Sequence, residues 1–342
     1  MQSLDIRTGI GSQVDFPSRL GVRHDPQEPR RQDPARLRRA APAGPRLIGR
    51  LDPHALAEAL VQGARAEVDL TPKPGLVDRH DNGSHPDLDH ARMVQSIELL
   101  PLYYEELIRL RIGPGQPEDV WPLAACIEAG RRAESRMEKA IGTNAHRGYI
   151  FLSGLLLLAA CDLARQDGAE AAVIGTPPDH GIPGETVQQT ALRRAIVSVA
   201  RAFFAVTPLP DADRPGVRVR EAHGLGGVRA EALAGLPSVF EAGLPAYLAA
   251  GKDLAAFHAL AALMQSVEDT TAVARCGVAG LARLRRDGAA LRVLLDQGDD
   301  PRPVLAEWND EYRAQRLTMG GVADCLALVL ALAAVRDRAG NP

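Results

Sequence analysis

The chain contains few of the residues that hold small extracellular or redox-active folds together. Its 342 residues include four cysteines, and no two of them form the C-x-x-C pair of zinc ribbons and redox motifs. We interpret Cys126, Cys161, Cys276 and Cys325 as buried thiols in a reducing cytoplasm. Aromatic residues make up only 4% of the chain, so Ala, Leu and Val must supply most of the core. That composition favours helices over a sandwich or a barrel.

Long hydrophobic runs, a charge excess and the common nucleotide motifs are missing too. The longest apolar runs, 149–161 and 325–335, fall short of the roughly 20 residues that span a bilayer, so we expect core helices. No apolar segment follows the first Met, and we expect no secretory signal. The net charge of −3 argues against a nucleic-acid or anionic-membrane partner. There is no Walker, G-x-G-x-x-G, H-E-x-x-H or G-x-S-x-G motif, so nucleotide chemistry would need another scaffold.

The sequence divides into an extension and one long helical region. Residues 1–46 are rich in Arg and Pro without helical periodicity, and we expect a disordered extension there. A solvated tail is favoured over an RNA-binding arm because aromatic residues for base stacking are not interleaved. For 47–342 we predict a single all-α domain of roughly ten or more helices, with polar Gly-rich loops forming a central cleft.

Helix starts are marked by Asp-Pro pairs at Asp52-Pro53 and Asp300-Pro301, an N-cap followed by Pro. The first helix continues with Leu56, Leu60 and Ala64 at helical spacing. We predict further helices over 88–111, 120–139, 147–166, 185–206, 229–250, 253–286 with a break, 301–316 and 322–338.

Five polar, Gly-bearing segments between the apolar helices are where chemistry is expected, because helix ends present backbone N–H groups and side chains together. The first is Thr71-Pro-Lys-Pro-Gly-Leu-Val-Asp78, which continues to Asp87 and Asp89. Its Asp residues supply the oxygen ligands that Mg²⁺ prefers. Lys73 is one of three lysines in a chain that otherwise uses Arg. Alternatively, this is a Pro-rich turn in which Asp87 or Asp89 only caps the next helix.

The second and third segments flank one helix junction. Glu134 lies in the sequence Gly-Arg-Arg-Ala-Glu-Ser-Arg-Met (130–137), where it either faces a cleft or pairs with surface arginines. Asn144, His146 and Arg147 meet the start of the apolar helix at Tyr149, which is a natural anion site. A lone His is more often structural than catalytic, so His146 gains weight only from its neighbours.

The remaining segments lie in the C-terminal half. His-Gly-Leu-Gly-Gly-Val-Arg-Ala-Glu (223–231) combines glycines, which let a backbone approach a ligand, with Arg229 and Glu231. The fifth unites residues 268–271 and 275–277 with 319–324, where Asp324 precedes a fully apolar run. The glycines could equally serve helix connections, and Asp324 could only be a favourable partner of a helix dipole.

Taken together in this order, these segments resemble the triphosphoribosyl-dephospho-CoA synthase family, whose ATP:dephospho-CoA enzymes build the prosthetic-group precursor of citrate lyase and malonate decarboxylase. Residues 71–78 match the family's T-P-K-P-G-L-V-D signature in full. The resemblance covers about residues 52–338. The other matching segments are 83–89, 130–137, 144–151, 226–231 with 235–237, 269–271 and 320–324.

The resemblance implies that the 2′-hydroxyl of 3′-dephospho-CoA attacks C1′ of ATP, expelling adenine and keeping the triphosphate on the sugar. Such a transfer requires carboxylates near an oxocarbenium-like centre, a general base and cations for the triphosphate. We assign Glu134 and Glu231 as base or oxocarbenium stabiliser and His146 to adenine departure. Five aspartates are assigned to the binding of Mg²⁺ or of the sugar hydroxyls: Asp78, Asp87, Asp89, Asp269 and Asp324. Substrate binding is assigned to Lys73, Asn144, Arg147, Gly226, Gly227, Arg229, Arg275, Gly320 and Gly321.

The family's pattern is not reproduced everywhere. Ala145 stands where a Thr is expected, residues 274–277 read Ala-Arg-Cys-Gly instead of His-Arg-Gly-Gly, and Met319 and Val322 flank the Gly pair. Every carboxylate assigned above is retained. The forms of residues 268–271 and 319–324 favour the malonate decarboxylase branch over the citrate lyase branch.

The expected partners are ATP, 3′-dephospho-CoA, a downstream phosphoribosyl-dephospho-CoA transferase and the acyl-carrier subunit of the decarboxylase or lyase, all in the cytoplasm. Neither nucleic acid nor a membrane is expected, and the oligomeric state stays open. Two other functions remain at this point. One is a Mg²⁺-dependent ADP-ribosyl or nucleoside hydrolase with water as nucleophile, and the other is a non-enzymatic assembly factor for the prosthetic group.

Overall fold

Helices form the secondary structure, as the composition predicted. The computed structural model describes residues 51–115, 121–143, 145–169, 187–207 and 215–339. No strand occurs within these ranges, which confirms the all-α fold class. The predictions made for residues 1–46 and for Asn144 concern residues outside them.

The helices follow one another along the chain, and the connection from α1 to α2 is the 20-residue segment 70–89. They are α1 (Pro53–Asp69), α2 (His90–Ile97), α3 (Leu100–Ile112), α4 (Leu123–Ile141), α5 (Arg147–Ala169), α6 (Val187–Val206), α7 (Pro215–His223), α8 (Gly227–Leu233), a π-helical turn (Ser238–Gly243), α9 (Leu244–Ala249), α10 (Ala255–Ser266), α11 (Thr270–Asp296), α12 (Arg302–Gln315) and α13 (Gly320–Ala339).

The helix start predicted at Asp52-Pro53 is confirmed, whereas α12 begins one residue later than predicted, at Arg302, with Pro301 in the N-cap position. The Asp52 carboxylate accepts the backbone N–H groups of His54 and Ala55, at 3.2 and 3.4 Å, with Pro53 in the first turn. At the start of α12, the Asp300 carboxylate accepts the backbone N–H of Arg302 at 3.1 Å. Local side-chain chemistry therefore located the start of α1 and placed the start of α12 to within one residue.

Three predicted helices are wrong in extent. The segment 88–111 is divided into α2 and α3 near Leu99, with Pro101 in the first turn of α3. The segment 229–250 is divided into α8, the π-helical turn and α9, with Leu236 at φ 57° immediately before Pro237. The break predicted within 253–286 is confirmed between α10 and α11. However, α11 runs on to Asp296, with non-helical geometry at Gly277 (φ 64°).

A single contiguous core unites α1, α3, α5, α10 and α13. The first and last helices pack along each other most extensively, and Gly63 permits their closest approach. A Cβ atom at Gly63 would lie 2.3 Å from the Ala327 carbonyl oxygen. This pairing brings the C-terminal end of α1 beside the N-terminal half of α13.

Helix α5 contains the segment Arg147–Gln166, which is long and apolar enough to cross a bilayer. Of this stretch, 67% is buried inside the protein, as in the core helix of a soluble fold. The expectation that all four cysteines are buried thiols is correct for Cys126, Cys161 and Cys325. It is wrong for Cys276, which is partly exposed beside the break at Gly277.

Candidate functional site

Lys73 lies in the loop after α1 and is completely buried. Its ammonium group donates to Oε1 of Glu67 at 2.5 Å and also to the Glu67 backbone carbonyl. A buried ammonium is tolerated only when it is paired and hydrogen-bonded, and Glu67 supplies both contacts. The signature lysine thus anchors its loop to the last turn of α1.

Asp78 organises the same loop. Its Oδ2 accepts the backbone N–H of Lys73 at 3.0 Å, and its Oδ1 accepts those of His80 and Asp81, at 2.7 and 3.2 Å. Both carboxylate oxygens therefore stabilise the turn. Asp78 shapes the loop that holds Lys73 in place.

The loop is fastened on its other side to the C-terminal helices. Ser84 Oγ donates to the Leu317 carbonyl at 2.6 Å, and His85 Nε2 lies 2.9 Å from Thr318 Oγ1. The Arg275 guanidinium donates to the Ser84 carbonyl at 2.7 Å. Segments more than 180 residues apart in the chain therefore form one wall.

Asp269 joins the N-terminal ends of two helices. Its Oδ1 accepts the backbone N–H groups of Thr271 and Ala272, both at 2.9 Å, which caps α11. Its Oδ2 accepts the backbone N–H of Val322 in the first turn of α13 at 3.0 Å. In the same junction, the Gly320 N–H donates to Thr271 Oγ1 at 2.9 Å, and Gly321 lies against the Asp269 carboxylate.

Asp324 lies one turn further along α13 and faces the start of α5. Gly148 permits this approach, because a Cβ atom there would lie only 1.9 Å from Asp324 Oδ2. The carboxyl group also accepts a hydrogen bond from the Tyr149 backbone. Tyr149 in turn donates its hydroxyl to the Leu60 carbonyl of α1 at 2.5 Å. Three helices thus meet around one carboxyl group.

These elements enclose a narrow depression, which we call the inner pocket. Its cavity volume is about 70 Å³. Its polar lining consists of Glu67, His85, His146, Tyr149 and Asp324. The remaining lining is apolar or small: Ala64, Leu76, Val77, Leu88, Met93, Ala145, Gly320, Ala323 and Ala327. Apolar walls with a few convergent polar groups are typical of sites for small organic ligands.

Burial shifts the pKa values of the side chains in the inner pocket in the direction that favours their uncharged forms. Removal from water raises the pKa of Asp324 well above its usual range, and the nearby Asp269 and Glu67 carboxylates raise it further. Burial also raises the pKa of Glu67, although Lys73 opposes that shift. The pKa of His146 is lowered to about 4, chiefly by burial, and that of His85 is lowered to about 4 by burial and the Arg275 charge.

A larger and more exposed depression, the outer cleft, adjoins the inner pocket at His85. Its cavity volume is about 880 Å³. Its lining is Asn82, Gly83, Ser84, His85, Pro86, Asp87, Arg275, Arg313 and Arg316. Three guanidinium groups around one concave surface favour a phosphate-bearing ligand.

Several assigned residues lie elsewhere. Glu134 and Arg147 form a partly exposed ion pair, with Arg147 Nε 3.1 Å from Glu134 Oε2. Asp89 caps α2 by accepting the Arg92 backbone N–H at 2.8 Å. None of these three side chains lines the inner pocket or the outer cleft.

The segment 226–231 approaches the head of α11 from another side. The Gly226 N–H donates to Glu268 Oε2 at 2.7 Å, and Gly227 lies against Thr270. Arg229 stacks over Phe204, with its guanidinium carbon 4.3 Å from the ring centroid. Glu231 accepts hydrogen bonds from Ser238 N and Oγ, at 2.8 and 3.0 Å, and burial raises its pKa. These four residues also lie outside the linings of both depressions.

The assigned aspartates do not gather into a metal cluster. Within the described ranges, no group of three or more His, Cys, Asp or Glu side chains is arranged to hold an ion. Both oxygens of Asp78 and of Asp269 already accept backbone N–H groups. Mg²⁺ bound with nucleotide phosphates needs only one or two protein carboxylates. The described residues therefore fit Mg²⁺ only as a companion of phosphate groups, with Asp87 as the carboxylate in the outer cleft.

Sequence reasoning missed five residues that line these depressions: Glu67, His85, Tyr149, Arg313 and Arg316. A signal existed for Glu67, which occupies the same helical face as the buried Leu60 and Ala64. A charged residue on an apolar face requires a buried partner. No comparable signal distinguishes Arg313 and Arg316 from the other surface arginines.

Comparison with known proteins identifies the family of the chain. The model of the ATP:dephospho-CoA triphosphoribosyl transferase family matches residues 53–342. The chain belongs to this family. It is accordingly a transferase, and neither the hydrolase nor the non-enzymatic assembly factor considered above describes its class.

Curated relatives within the triphosphoribosyl transferase family cover most of the chain. A probable 2-(5''-triphosphoribosyl)-3'-dephosphocoenzyme-A synthase of Stutzerimonas stutzeri is 31% identical, over 86% of this chain and 98% of its own length. One with the same description from Vibrio cholerae is 32% identical, over 83% and 86%. The 2-(5''-triphosphoribosyl)-3'-dephosphocoenzyme-A synthase of Klebsiella pneumoniae is 31% identical, over 88% and 95%. No solved structure matches the chain.

Proposed function

We propose that this protein transfers the 5-triphosphoribosyl group of ATP to the 2′-hydroxyl of 3′-dephospho-CoA and releases adenine. The supporting observation is the division of the site into an arginine-lined outer cleft and a buried inner pocket that adjoin at His85. The reaction needs cations for a phosphate chain beside a sheltered place for a sugar and a base. The two depressions supply these environments side by side.

In this proposal the outer cleft binds the triphosphate through Arg275, Arg313 and Arg316. Asp87 lies in the same cleft and is the carboxylate for Mg²⁺ that accompanies the phosphates. The metal would offset phosphate charge as the ribose becomes more positive. Lys73 is completely buried and paired with Glu67, so its role in this proposal is to hold the wall of the inner pocket.

We propose Asp324 as the carboxyl group that contacts the reacting ribose. It lines the inner pocket, whereas Glu134 is paired with Arg147 near the surface and Glu231 is bound to Ser238. A carboxyl group beside C1′ either donates a hydrogen bond to a sugar hydroxyl or offsets developing positive charge. Asp269 holds the α11 and α13 termini together and so positions Asp324.

The transfer is tested by incubating purified protein with ATP, Mg²⁺ and dephospho-CoA and analysing the products by mass spectrometry. We expect adenine and a triphosphoribosyl adduct of dephospho-CoA in equal amounts, with no adenine when dephospho-CoA is omitted. Free ribose triphosphate formed without dephospho-CoA would indicate hydrolysis instead. Binding of dephospho-CoA with no turnover of ATP would contradict the proposal.

We further propose that the product serves malonate decarboxylase rather than citrate lyase, in the cytoplasm, through a downstream phosphoribosyl-dephospho-CoA transferase and an acyl-carrier subunit. The support is the form of residues 268–271 and 319–324. Deletion of the gene in its source organism should leave the acyl carrier of malonate decarboxylase without its prosthetic group, as measured by intact-protein mass spectrometry. An unmodified citrate lyase carrier in the same strain, with a normal decarboxylase carrier, would reverse the assignment.

A further inference from the structure

His146 lines the inner pocket, and its buried Nε2 atom has no hydrogen-bond partner among the described residues. The side chain belongs to a residue that is only 5% exposed. Its ring makes one hydrogen bond to the backbone of Met93. Because Nε2 has no partner, Nδ1 must make that bond.

The Met93 bond also fixes which nitrogen carries the proton. It raises the pKa of the imidazole, as expected when a ring N–H donates to a backbone carbonyl. With the proton on Nδ1, Nε2 carries a lone pair that accepts no hydrogen bond from the described residues. Burial lowers the pKa of His146 to about 4, so the ring is neutral near pH 7. A buried acceptor left unpaired destabilises the folded protein, and a ligand N–H would remove that cost.

The walls around this acceptor select the shape of the ligand. Leu76, Val77, Leu88 and Met93 provide apolar surface, and Ala145 adds little bulk beside His146. A flat heterocycle buries well against such walls, and an amino group on its edge would meet Nε2. Adenine carries such an amino group at C6, whereas hypoxanthine carries a carbonyl oxygen that would place two acceptors against each other.

On the basis of the proposed function, we infer that the inner pocket binds the 6-aminopurine base of a nucleotide substrate, whose exocyclic amino group donates to Nε2 of His146. His146 is then a specificity residue that reads the base, and it does not supply a proton to it. Both ATP and dephospho-CoA carry this base, so either is a source of the ligand.

His85 provides a matched control within the same pocket. It is a half-buried imidazole whose pKa is likewise lowered to about 4, but its nitrogens already have neighbours. Its Nε2 lies 2.9 Å from Thr318 Oγ1, and its Nδ1 lies 3.5 Å from an Arg275 nitrogen. Replacement of His85 should therefore change affinity without changing the preference between amino and oxo bases.

The experiment measures dissociation constants by calorimetry for ATP, inosine triphosphate and dephospho-CoA, with wild-type protein and the His146→Leu and His85→Leu variants. One lost hydrogen bond to a buried group predicts a wild-type preference of about 10-fold or more for ATP over inosine triphosphate. His146→Leu should reduce that ratio to about 1, and His85→Leu should retain it. If the ratio and the affinity for dephospho-CoA are both unchanged in His146→Leu, the inference is overturned.

Two further measurements cover a folding defect and the source of the base. If His146→Leu does not fold, His146→Gln takes its place, because Gln keeps an acceptor and should retain most of the preference for ATP. A folded His146→Gln protein that has lost this preference would count against the inference. Wild-type protein should also bind the triphosphate of unsubstituted purine riboside more weakly than ATP. A loss confined to ATP in His146→Leu assigns the pocket to the departing base, and a loss confined to dephospho-CoA assigns it to the acceptor.

The outcomes also separate this inference from the proposed transfer. In one outcome, the wild type releases adenine while His146→Leu changes neither the base preference nor the affinity for dephospho-CoA. That result would contradict the base pocket and leave the proposed transfer standing. Selective binding of ATP through His146, with no adenine released when dephospho-CoA is added, would remove the transfer and retain the base pocket.

Discussion

The inner pocket and the outer cleft adjoin at His85, but they present polar groups in opposite states. In the inner pocket, burial raises the pKa of Glu67 and Asp324 and lowers that of His146, and each of these shifts favours the uncharged form of the side chain. In the outer cleft, Arg275, Arg313 and Arg316 are exposed cations. The comparison teaches that one site can recognise a base through hydrogen bonds and a phosphate chain through charge, provided that the two environments are separated by burial.

The largest expected effect comes from breaking the buried ion pair under the inner pocket. Lys73→Met leaves the Glu67 carboxylate buried without its partner, so the free energy of unfolding should fall by about 3–5 kcal/mol in urea denaturation. Lys139→Met, at an exposed lysine, is the control and should change it little. The double variant Glu67→Gln with Lys73→Met should recover part of the loss. Equal effects at Lys73 and Lys139 would contradict this account of the inner pocket.

Replacement of Asp324 should affect catalysis more than stability. Asp324→Ala removes the carboxyl group proposed to contact the ribose, and kcat should fall by roughly 100-fold or more. The raised pKa of Asp324 favours its neutral, protonated form, and the amide of Asn has a similar shape and can also donate a hydrogen bond. Asp324→Asn should therefore retain clearly more activity than Asp324→Ala. Rates of adenine release measure both. Activity equal to wild type in Asp324→Ala would place the reacting sugar outside the inner pocket.

Replacements in the outer cleft should weaken phosphate binding with little change in kcat. Arg313→Ala and Arg316→Asn each remove a cation, and Asn tolerates the left-handed backbone at residue 316 (φ 57°). We expect KM for ATP to rise about 10-fold for each, and its dependence on salt to become shallower. Arg286→Ala, at an exposed arginine outside the cleft lining, should leave KM unchanged. A fall in kcat at constant KM would show that these arginines act on the chemical step.

A further expected effect is a pH dependence of stability that belongs to His146. The pKa in the folded protein is about 4, below the usual value of 6.5, so between these pH values the unfolded chain takes up a proton that the folded protein does not. The contribution of neutral His146 to the free energy of unfolding is therefore present above pH 6.5 and is lost as the pH falls from 6.5 to 4. The unfolding free energy of wild type should decline relative to that of His146→Gln over this window and run parallel to it below pH 4. Parallel curves throughout would mean that His146 titrates normally.

Much of the fold could be predicted because its signals are local. The Asp-Pro pairs at residues 52–53 and 300–301 mark helix starts through contacts between neighbours, and apolar spacing marked the buried faces. The divisions at Leu99 and at Gly235–Pro237 were missed because periodic apolar residues continue across them. A helix pattern shows which face is buried, but it does not show where packing favours a break.

The candidate site could be predicted only in part. The motif order marked the segments that contain Lys73, Asp269 and Asp324. Lys73 is bound to the end of α1, whereas Asp269 and Asp324 lie where the N-terminal ends of α5, α11 and α13 come together. The same reasoning also selected Glu134 and Arg229, which have surface or stacking partners instead. Residue type indicates which chemistry a side chain is capable of, whereas its partners decide whether that chemistry is available to a ligand.

The sequence by itself determined that the chain is helical, where most helices lie, and which family its loop motifs resemble, because propensity, capping and motif spacing depend on residues close together in the chain. Only the tertiary structure decided that Glu67 neutralises Lys73, that Nε2 of His146 is left without a partner among the described residues, and that Asp324 faces Gly148. Burial and nearby charge set the protonation of these groups, and both depend on segments that lie far apart in the sequence.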